Sequence, residues 1–226
     1  MVENTLKTYY DNVLNKPFSV KQFNHRGVFR TVGKVDDKQS FYDFKGLRCQ
    51  DMPIKLPGGS YKIPDEYLQF KEVIQKMIDF ETTYNNLIDE FYTYLTVDQS
   101  ETLPGKTHRS VGTHVDGFQG QRVNPKVLCD RGYLVFDGDT PSFWNQPFPS
   151  VANLNVPTKE VFEEFDRVKE ISAEIRCIPF IIYLMDCYTV HTPAPAVNPR
   201  RTFCRITFSV RKFDRPDNTA NPLLTE

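Results

Sequence analysis

The chain has 226 residues, 39% of them hydrophobic and 25% charged, which suits one globular domain with a sizeable core. Its formal net charge of −1 provides no strong positive field for nucleic acid, and no apolar run reaches the roughly 18 residues that span a bilayer. The five cysteines form no C-x-x-C pair, so we expect neither a disulfide framework nor a zinc knuckle. The first residues do not have the charged and apolar regions of a secretory signal, and we expect a reducing, cytoplasmic setting.

The predicted secondary structure changes near residue 100. From Asp65 to Leu95, apolar residues recur at steps of three and four, which predicts one long amphipathic helix packed on a sheet. A second helix is predicted to begin near Thr158. After residue 105, short apolar runs bounded by Pro and Gly predict strands over residues 110–116, 132–136, 179–185 and 202–210.

These patterns predict a single domain of the α+β class over residues 1–226. Residues 1–100 are its predicted helix-rich part, and residues 105–212 its strand-rich part, which could form a barrel backed by the helices. Residues 138–148 are rich in turn-forming residues and carry the only tryptophan, Trp144. Such a segment is typical either of a lid over an active site or of a packed surface loop.

An H-x-D pair is the first candidate for chemistry. His114 and Asp116 are separated by one residue in a predicted strand, where residues two apart point to the same face. An imidazole and a carboxylate would then enter one cavity together, as two neighbouring ligands of a metal must. A pair of this kind also arises by chance in a chain of this length, so it needs support from elsewhere.

His191 supplies that support. It lies 75 residues after Asp116, directly after the apolar run 179–185 and before Pro193 and Pro195, so we expect it where a strand gives way to a turn. Two histidines and one carboxylate on one side of an iron ion leave three coordination positions open.

The predicted strand over 202–210 places charge opposite an apolar face. Cys204, Ile206 and Phe208 form one face, which we expect to pack against helices. The other face carries Arg201, Phe203, Arg205, Thr207 and Ser209. An arginine inside a barrel needs an anionic partner, and a bound dicarboxylate would provide one through a bidentate pair. A salt bridge to a local Asp or Glu, or exposure to solvent, remains the alternative.

The order H-x-D, a long gap, His and then R-x-S/T resembles the iron(II)/2-oxoglutarate-dependent dioxygenases of the double-stranded β-helix (jelly-roll, cupin-like) fold, over roughly residues 105–212. The resemblance implies that Fe(II), 2-oxoglutarate and O2 are the cofactors, with ascorbate as a candidate reductant. It implies that catalysis depends on the iron ligands His114, Asp116 and His191. It also implies that Arg205 and Thr207 bind the distal carboxylate of 2-oxoglutarate, with Arg201 as the competing arginine.

The same resemblance indicates the reaction. Related halogenases replace the metal-binding acid with a small residue, whereas Asp116 is present here, which favours hydroxylation of a C–H bond with decarboxylation of 2-oxoglutarate to succinate. Arg122, Tyr133 and Trp144 are candidates to contact the substrate, although Arg122 and Arg131 are expected at the surface.

The substrate is not inherited from the resemblance. The near-neutral charge favours a small polar molecule such as an amino acid, with a protein side chain or a nucleobase as alternatives and no membrane partner. A non-catalytic binding protein with a relic barrel is the alternative of another class, but such a protein would be expected to lack one of the metal-binding residues. The N/N/O ligand set could also hold manganese, cobalt, nickel or zinc.

Overall fold

The computed structural model describes residues 12, 13, 16, 18–108, 112–116, 130–152 and 158–224. In these ranges the chain combines α-helices with antiparallel sheets, as the α+β prediction requires. The helices are α1 (Gln39–Tyr42), α2 (Lys71–Tyr84) and α3 (Thr158–Val168). The strands are β1 (Phe29–Lys34), β2 (Cys49–Lys55), β3 (Tyr92–Glu101), β4 (Arg131–Phe136), β5 (Ser142–Trp144), β6 (Glu174–Arg176), β7 (Ile181–Asp186), β8 (His191–Thr192) and β9 (Arg200–Ser209).

Two antiparallel sheets are formed by these strands. The larger has the order β1-β7-β4-β9-β3-β2, and the smaller has the order β6-β5-β8. His114 forms an isolated antiparallel bridge with His191, which places the H-x-D segment beside β8. A second bridge joins Thr107 to Pro195. The two predicted histidine ligands are therefore neighbours in the structure because two extended segments pair with each other.

Alternation along the strands decides which side chains enter the space between the sheets. On β9, Cys204, Ile206 and Phe208 pack in the main core with apolar residues of α2, which confirms the predicted packing of that face against a helix. Phe203 points the other way and packs with Phe143 of the small sheet, together with residues of β4 and β7. The inner face of the large sheet is thus covered by the small sheet.

The predicted long helix is wrong beyond Tyr84. Helix α2 ends there, a short 3-10 turn follows at Ile88–Glu90, and Leu95 lies on strand β3. The segment from Tyr92 to Val97 consists of β-branched residues, tyrosines and Leu95, and such residues favour a pleated strand over a helix. The apolar spacing of three and four therefore continued by coincidence across a change of structure.

The first 100 residues, predicted to be helix-rich, also contribute three of the six strands in the large sheet. Strand β3 pairs with β9 from Tyr92 opposite Ser209 to Glu101 opposite Arg200, so the two predicted parts share one continuous sheet. The other predicted strands after residue 130 and the helix beginning at Thr158 are confirmed. Among the described residues, none of the helices combines the length and hydrophobicity that crossing a lipid bilayer requires.

Candidate metal centre

Three predicted ligands converge at the bridge between the H-x-D segment and β8. The ligand atoms of His114, Asp116 and His191 all lie within 4.8 Å of one another, a spacing that fits a shared metal ion. The two imidazole rings are 4.4 Å apart between centroids. His191 Nε2 lies 3.8 Å from Asp116 Oδ1, so this carboxylate oxygen faces the same point as the imidazole nitrogen.

Backbone carbonyls fix the tautomer of both histidines. His114 Nδ1 lies 3.0 Å from the carbonyl oxygen of Gly112, and His191 Nδ1 lies 3.0 Å from that of Thr189. Because a carbonyl only accepts, each Nδ1 carries a proton, and in the neutral ring the lone pair is then on Nε2. Metal-binding histidines are oriented in this way in known sites. Burial also lowers the pKa of His191, against the opposing effect of Asp116, and so favours its neutral form.

A tight loop presents His191. The carboxylate of Asp186 accepts hydrogen bonds from the Val28 amide at 3.1 Å and from the Thr189 hydroxyl at 2.6 Å. Gly27 packs directly beneath this loop: a Cβ added there would lie 2.7 Å from backbone atoms of Thr189. Only glycine permits this close approach. The backbone just before β1 therefore supports the loop that carries His191.

Helix α3 holds the H-x-D segment in a similar way. Thr113 is buried and donates its hydroxyl to Asp166 at 2.5 Å, and Lys169 donates to both Thr113 and Asp166. Burial raises the pKa of Asp166, but the hydrogen bonds from Lys169 and Thr113 outweigh it, so the pKa lies below its ordinary value. The residue next to His114 is therefore tied to α3 by a charged network.

Arg205 contacts the triad directly. Its Nη1 donates to Asp116 Oδ2 at 3.1 Å, and its Nη2 donates to Asp51 Oδ1 at 3.0 Å. A salt bridge to a nearby acid was one of the two alternatives for this arginine, and it is present in the structure. Asp51 is a residue of the centre that the sequence patterns missed, since 154 positions separate it from Arg205.

A cavity of about 260 Å³ opens from the triad into the space between the sheets. Arg201 and Arg205 both reach it, which agrees with their shared face on β9. Arg201 is almost completely buried, lies against the ring of Phe136, and makes a long hydrogen bond of 3.4 Å to the carbonyl of Asp139. The remaining lining is apolar and consists of Leu134, Phe136, Pro141, Phe143, Met185, Pro193 and Phe203.

Three other predicted site residues, Thr207, Tyr133 and Trp144, are not among the described residues that line this cavity. Thr207 is half-buried, and Gly132 on β4 packs close to it. Tyr133 points to the opposite side of β4 and donates its hydroxyl to Glu81 at 2.9 Å. Trp144 packs in a separate core cluster, because on β5 it is the preceding residue that faces the cavity. Arg122 lies outside the described residues.

Two expectations need correction. Residues 138–148 do not form a lid, because β5 lies within them and is the central strand of the small sheet. Arg131, expected at the surface, is fully buried and forms a salt bridge with Glu81 of α2. The partner that makes this burial tolerable lies 50 residues away, so local sequence gave no sign of it.

No family model and no curated protein matches the sequence. Among solved structures, the fold is similar to AviO1 from Streptomyces viridochromogenes Tue57, at 13% identity over 90% of this chain and 96% of that chain, with a TM-score of 0.46. EvdO2 from Micromonospora carbonacea var. aurantiaca, complexed with 2-oxoglutarate, matches at 13% identity over 92% and 96%, with a TM-score of 0.45. HygX from Streptomyces hygroscopicus with iron bound matches at 10% identity over 82% and 83%, with a TM-score of 0.42. These are similarities of fold, and the chemistry is decided by the side chains that meet at the centre.

Proposed function

We propose that the protein is a non-haem iron(II) oxygenase that consumes 2-oxoglutarate and O2 and hydroxylates a C–H bond of a small polar molecule such as an amino acid. The observation that carries the proposal is the convergence of His114, Asp116 and His191 at one end of a cavity that two arginines also line. The two facing antiparallel sheets fit the double-stranded β-helix that we propose for the core.

The donor set fits iron(II). Two neutral imidazole nitrogens and one carboxylate oxygen leave open positions for a co-substrate and for oxygen. Both Nδ1 protons are held by carbonyls, so neither ring must rotate or change tautomer to accept the metal. When bound, iron(II) with 2-oxoglutarate and O2 supplies the oxidation of a C–H bond, and the keto acid is converted to succinate and CO2. Ascorbate would serve to return oxidised iron to the ferrous state.

The charges around the cavity favour a dicarboxylate co-substrate. Asp51 and Asp116 oppose Arg201 and Arg205, so these four side chains cancel one another. A divalent metal then adds two positive charges to a cavity whose other walls are mostly apolar. Two negative charges on one small molecule would restore neutrality, which matters because an unbalanced charge is costly in an apolar space.

We assign the two arginines different parts. Arg205 already holds Asp116 and Asp51, and its contact with Asp116 places its guanidinium at the metal end. Arg201 lies four residues earlier on the same face of β9 and lines the same cavity, where its guanidinium lies against the ring of Phe136. 2-Oxoglutarate has its second carboxylate at the far end of a five-carbon chain. We therefore propose Arg201 as the anchor of that distal carboxylate, in place of the pair Arg205 and Thr207.

The apolar residues that line the cavity have two proposed roles. Phe136, Phe143 and Phe203 exclude water from the space beside the triad and restrict how a bound molecule can lie. Phe162 of α3 is half-buried, with its ring centroid 5.8 Å from that of His114, and we propose it as a substrate contact. It replaces Tyr133 and Trp144, whose side chains pack elsewhere.

Two alternative functions are less well supported by the charge and the site. A protein side chain or a nucleobase could be the substrate of the same chemistry, but the net charge of −1 favours a small molecule over nucleic acid. A non-catalytic protein with a relic barrel would be expected to lack part of the site. All three ligands and both arginines are present, and their supporting hydrogen bonds are intact.

Succinate formation tests the proposal. The anaerobically purified protein is given Fe(II), ascorbate and 2-oxoglutarate, and oxygen is then admitted. We expect slow succinate release even without substrate, loss of this release in His114→Ala and Asp116→Ala, and no change in His25→Ala, which alters an exposed histidine. No succinate from the wild type, together with no iron-dependent binding of 2-oxoglutarate, would favour the binding-protein alternative.

A further inference from the structure

Asp51 adopts a backbone conformation that non-glycine residues rarely take. Its φ is +42°, and it lies in strand β2 where the pairing with β3 shifts register between Cys49 and Met52. A left-handed residue inside a bulge costs free energy, and such residues persist where the surrounding structure requires them. We therefore expect contacts of the Asp51 side chain to offset the free-energy cost of its backbone conformation.

In this bulge the Asp51 carboxylate is buried and faces Arg205 of β9. The residue is only 5% exposed, and its Oδ1 accepts hydrogen bonds from Arg205 Nη2 at 3.0 Å and from the Thr96 hydroxyl at 3.1 Å. Thr96 in turn accepts from the Asp51 amide at 3.0 Å, so one hydroxyl holds both the backbone and the side chain of Asp51. Thr96 lies directly opposite Arg205 in the pairing of β3 with β9.

The second arm of Arg205 reaches the metal centre. Its Nη1 donates to Asp116 Oδ2, whereas the other oxygen, Oδ1, faces His191 Nε2. One oxygen of Asp116 is therefore engaged by the arginine and the other is directed to the metal position. A guanidinium normally prefers to bind both oxygens of one carboxylate as a fork. Here the fork is divided between two carboxylates.

We propose that Asp51 is a positioning residue that keeps Arg205 from binding Asp116 through both oxygens. By drawing Nη2 to itself, Asp51 keeps Asp116 Oδ1 directed at the point that His191 Nε2 also faces, so that Asp116 would hold a metal through one oxygen. The inference rests on the proposed function, since it concerns the same metal centre. It explains why a buried aspartate with a strained backbone is kept on β2, which a single strand, β3, separates from β9.

Two substitutions remove this influence without forcing the backbone. Asp51→Asn keeps the size and shape and removes the charge, and asparagine tolerates a positive φ. Asp51→Gly removes the side chain at a φ that glycine adopts freely. Asp98→Asn is the matched control, because Asp98 is equally buried on β3 and pairs with Arg48.

Cobalt(II) is the probe, since the site's N/N/O set accepts it and its visible absorption reports the coordination number. The purified chain is titrated with cobalt(II) and the absorption bands are recorded. We expect His114→Ala to abolish specific binding, and both Asp51 variants to bind about tenfold more weakly with altered bands. Asp98→Asn should bind as the wild type does.

A double-mutant cycle separates positioning from a general structural effect. If Asp51 acts through Arg205, then Asp51→Asn should have no further effect on cobalt affinity in an Arg205→Met background. A loss that persists there, or wild-type affinity and bands in both Asp51 variants, would overturn the assignment of Asp51 while leaving the metal centre intact. Absence of specific cobalt binding by the wild type would instead count against the proposed function.

A further variant covers the case in which neither Asp51 variant folds. Thr96→Val removes the hydroxyl that holds the Asp51 carboxylate while keeping the side-chain volume. Circular dichroism identifies the folded variants before titration. A folded Thr96→Val protein should bind cobalt a few-fold more weakly with bands shifted in the same direction, and unchanged binding would contradict the proposal.

Discussion

Arg201 and Arg205 project from one face of β9 into the same cavity, but their surroundings differ. Arg205 is shared between two aspartates at the metal end, whereas Arg201 lies four residues away against an aromatic ring. Arg201→Ala should therefore raise the KM for 2-oxoglutarate by about 10–100-fold, the loss expected for a charged hydrogen bond, with cobalt affinity little changed. Arg205→Ala should mainly lower cobalt affinity.

Steady-state succinate assays and cobalt titrations of both variants measure the two effects. Arg176→Ala is the control, because the Arg176 side chain is 83% exposed and remote from the triad. If Arg205→Ala raises the KM for 2-oxoglutarate and Arg201→Ala does not, Arg205 is the anchor after all.

The residues of the centre differ in how far sequence could identify them. The triad was predictable because H-x-D and a strand-end histidine are local patterns. Tyr133 and Trp144 were misplaced because a shift of one position in a strand reverses the side to which a residue points, and Leu134 and Phe143 took the inward positions instead. Asp51 has no local signal, since only the pairing of two distant strands brings it to Arg205.

At the scale of elements, the close contact between Gly27 and the loop before β8 supports His191. A methyl group at Gly27 would meet Thr189 backbone atoms at 2.7 Å, a distance that forces the loop to move. Gly27→Ala should therefore lower the free energy of unfolding by about 1–3 kcal/mol and cobalt affinity by about tenfold. Urea unfolding and cobalt titration measure the two quantities.

Gly33→Ala is the matched control, because a Cβ there meets nothing within 4 Å. It should leave cobalt affinity unchanged. Equal cobalt affinity in Gly27→Ala and the wild type would show that the loop adjusts without displacing His191, and would remove the proposed support.

A buried ion pair joins α2 to the large sheet. Arg131 donates to Glu81, which also accepts from Tyr133 and Asn85, and Arg131 lies over the ring of Phe91. Arg131→Met would leave the Glu81 carboxylate buried without its cation, so we expect a loss of about 3–5 kcal/mol in the free energy of unfolding.

The double variant Glu81→Leu/Arg131→Met should lose less than Arg131→Met, because no buried charge is left. Its free energy of unfolding should still be lower than that of the wild type, since Tyr133 and Asn85 lose their hydrogen-bond acceptor. Arg167→Met breaks the exposed pair with Glu164 and should cost no more than about 1 kcal/mol in the same urea experiment. A similar cost for Arg131→Met and Arg167→Met would argue against any special role of the buried pair.

The elements themselves were predictable in proportion to how regular their patterns are. Strand β9 alternates cleanly and was predicted with its two faces correctly assigned. Strand β1 has no alternating burial, because it lies at the edge of the large sheet, and its sequence gave no strand pattern. Helix α2 was predicted but extended too far, since apolar residues of the next turn and strand happened to continue its spacing.

At the scale of the whole molecule, the order of strands could not be predicted. The α+β class follows from local patterns, but the order β1-β7-β4-β9-β3-β2 interleaves strands from both halves of the chain. This interleaving brings β2 within reach of Arg205 on β9 and sets the small sheet against the large one. The metal centre is thus a product of the complete fold, because its ligands, Asp51 and the arginines come from separate segments.

Ligand binding should for this reason stabilise the whole fold. A metal and a co-substrate that bind only the folded chain, each at about 100 times its dissociation constant, contribute about 2.7 kcal/mol apiece to the free energy of unfolding. For a chain of this size, 1 kcal/mol raises Tm by about 2–4 °C. Cobalt(II) alone should therefore raise Tm by about 5–10 °C, and 2-oxoglutarate should raise it further only when cobalt is present.

Differential scanning fluorimetry under air measures this order of binding, because cobalt(II) supports binding without turnover. His114→Ala should lose both increments, since the metal must be held before 2-oxoglutarate can chelate it, whereas Arg201→Ala should keep the cobalt increment and lose most of the second. A rise in Tm with 2-oxoglutarate alone, equal in the wild type and in His114→Ala, would mean that the dicarboxylate binds the arginines independently of any metal. The cavity would then be a binding site for anions, and the oxygenase proposal would lose its co-substrate.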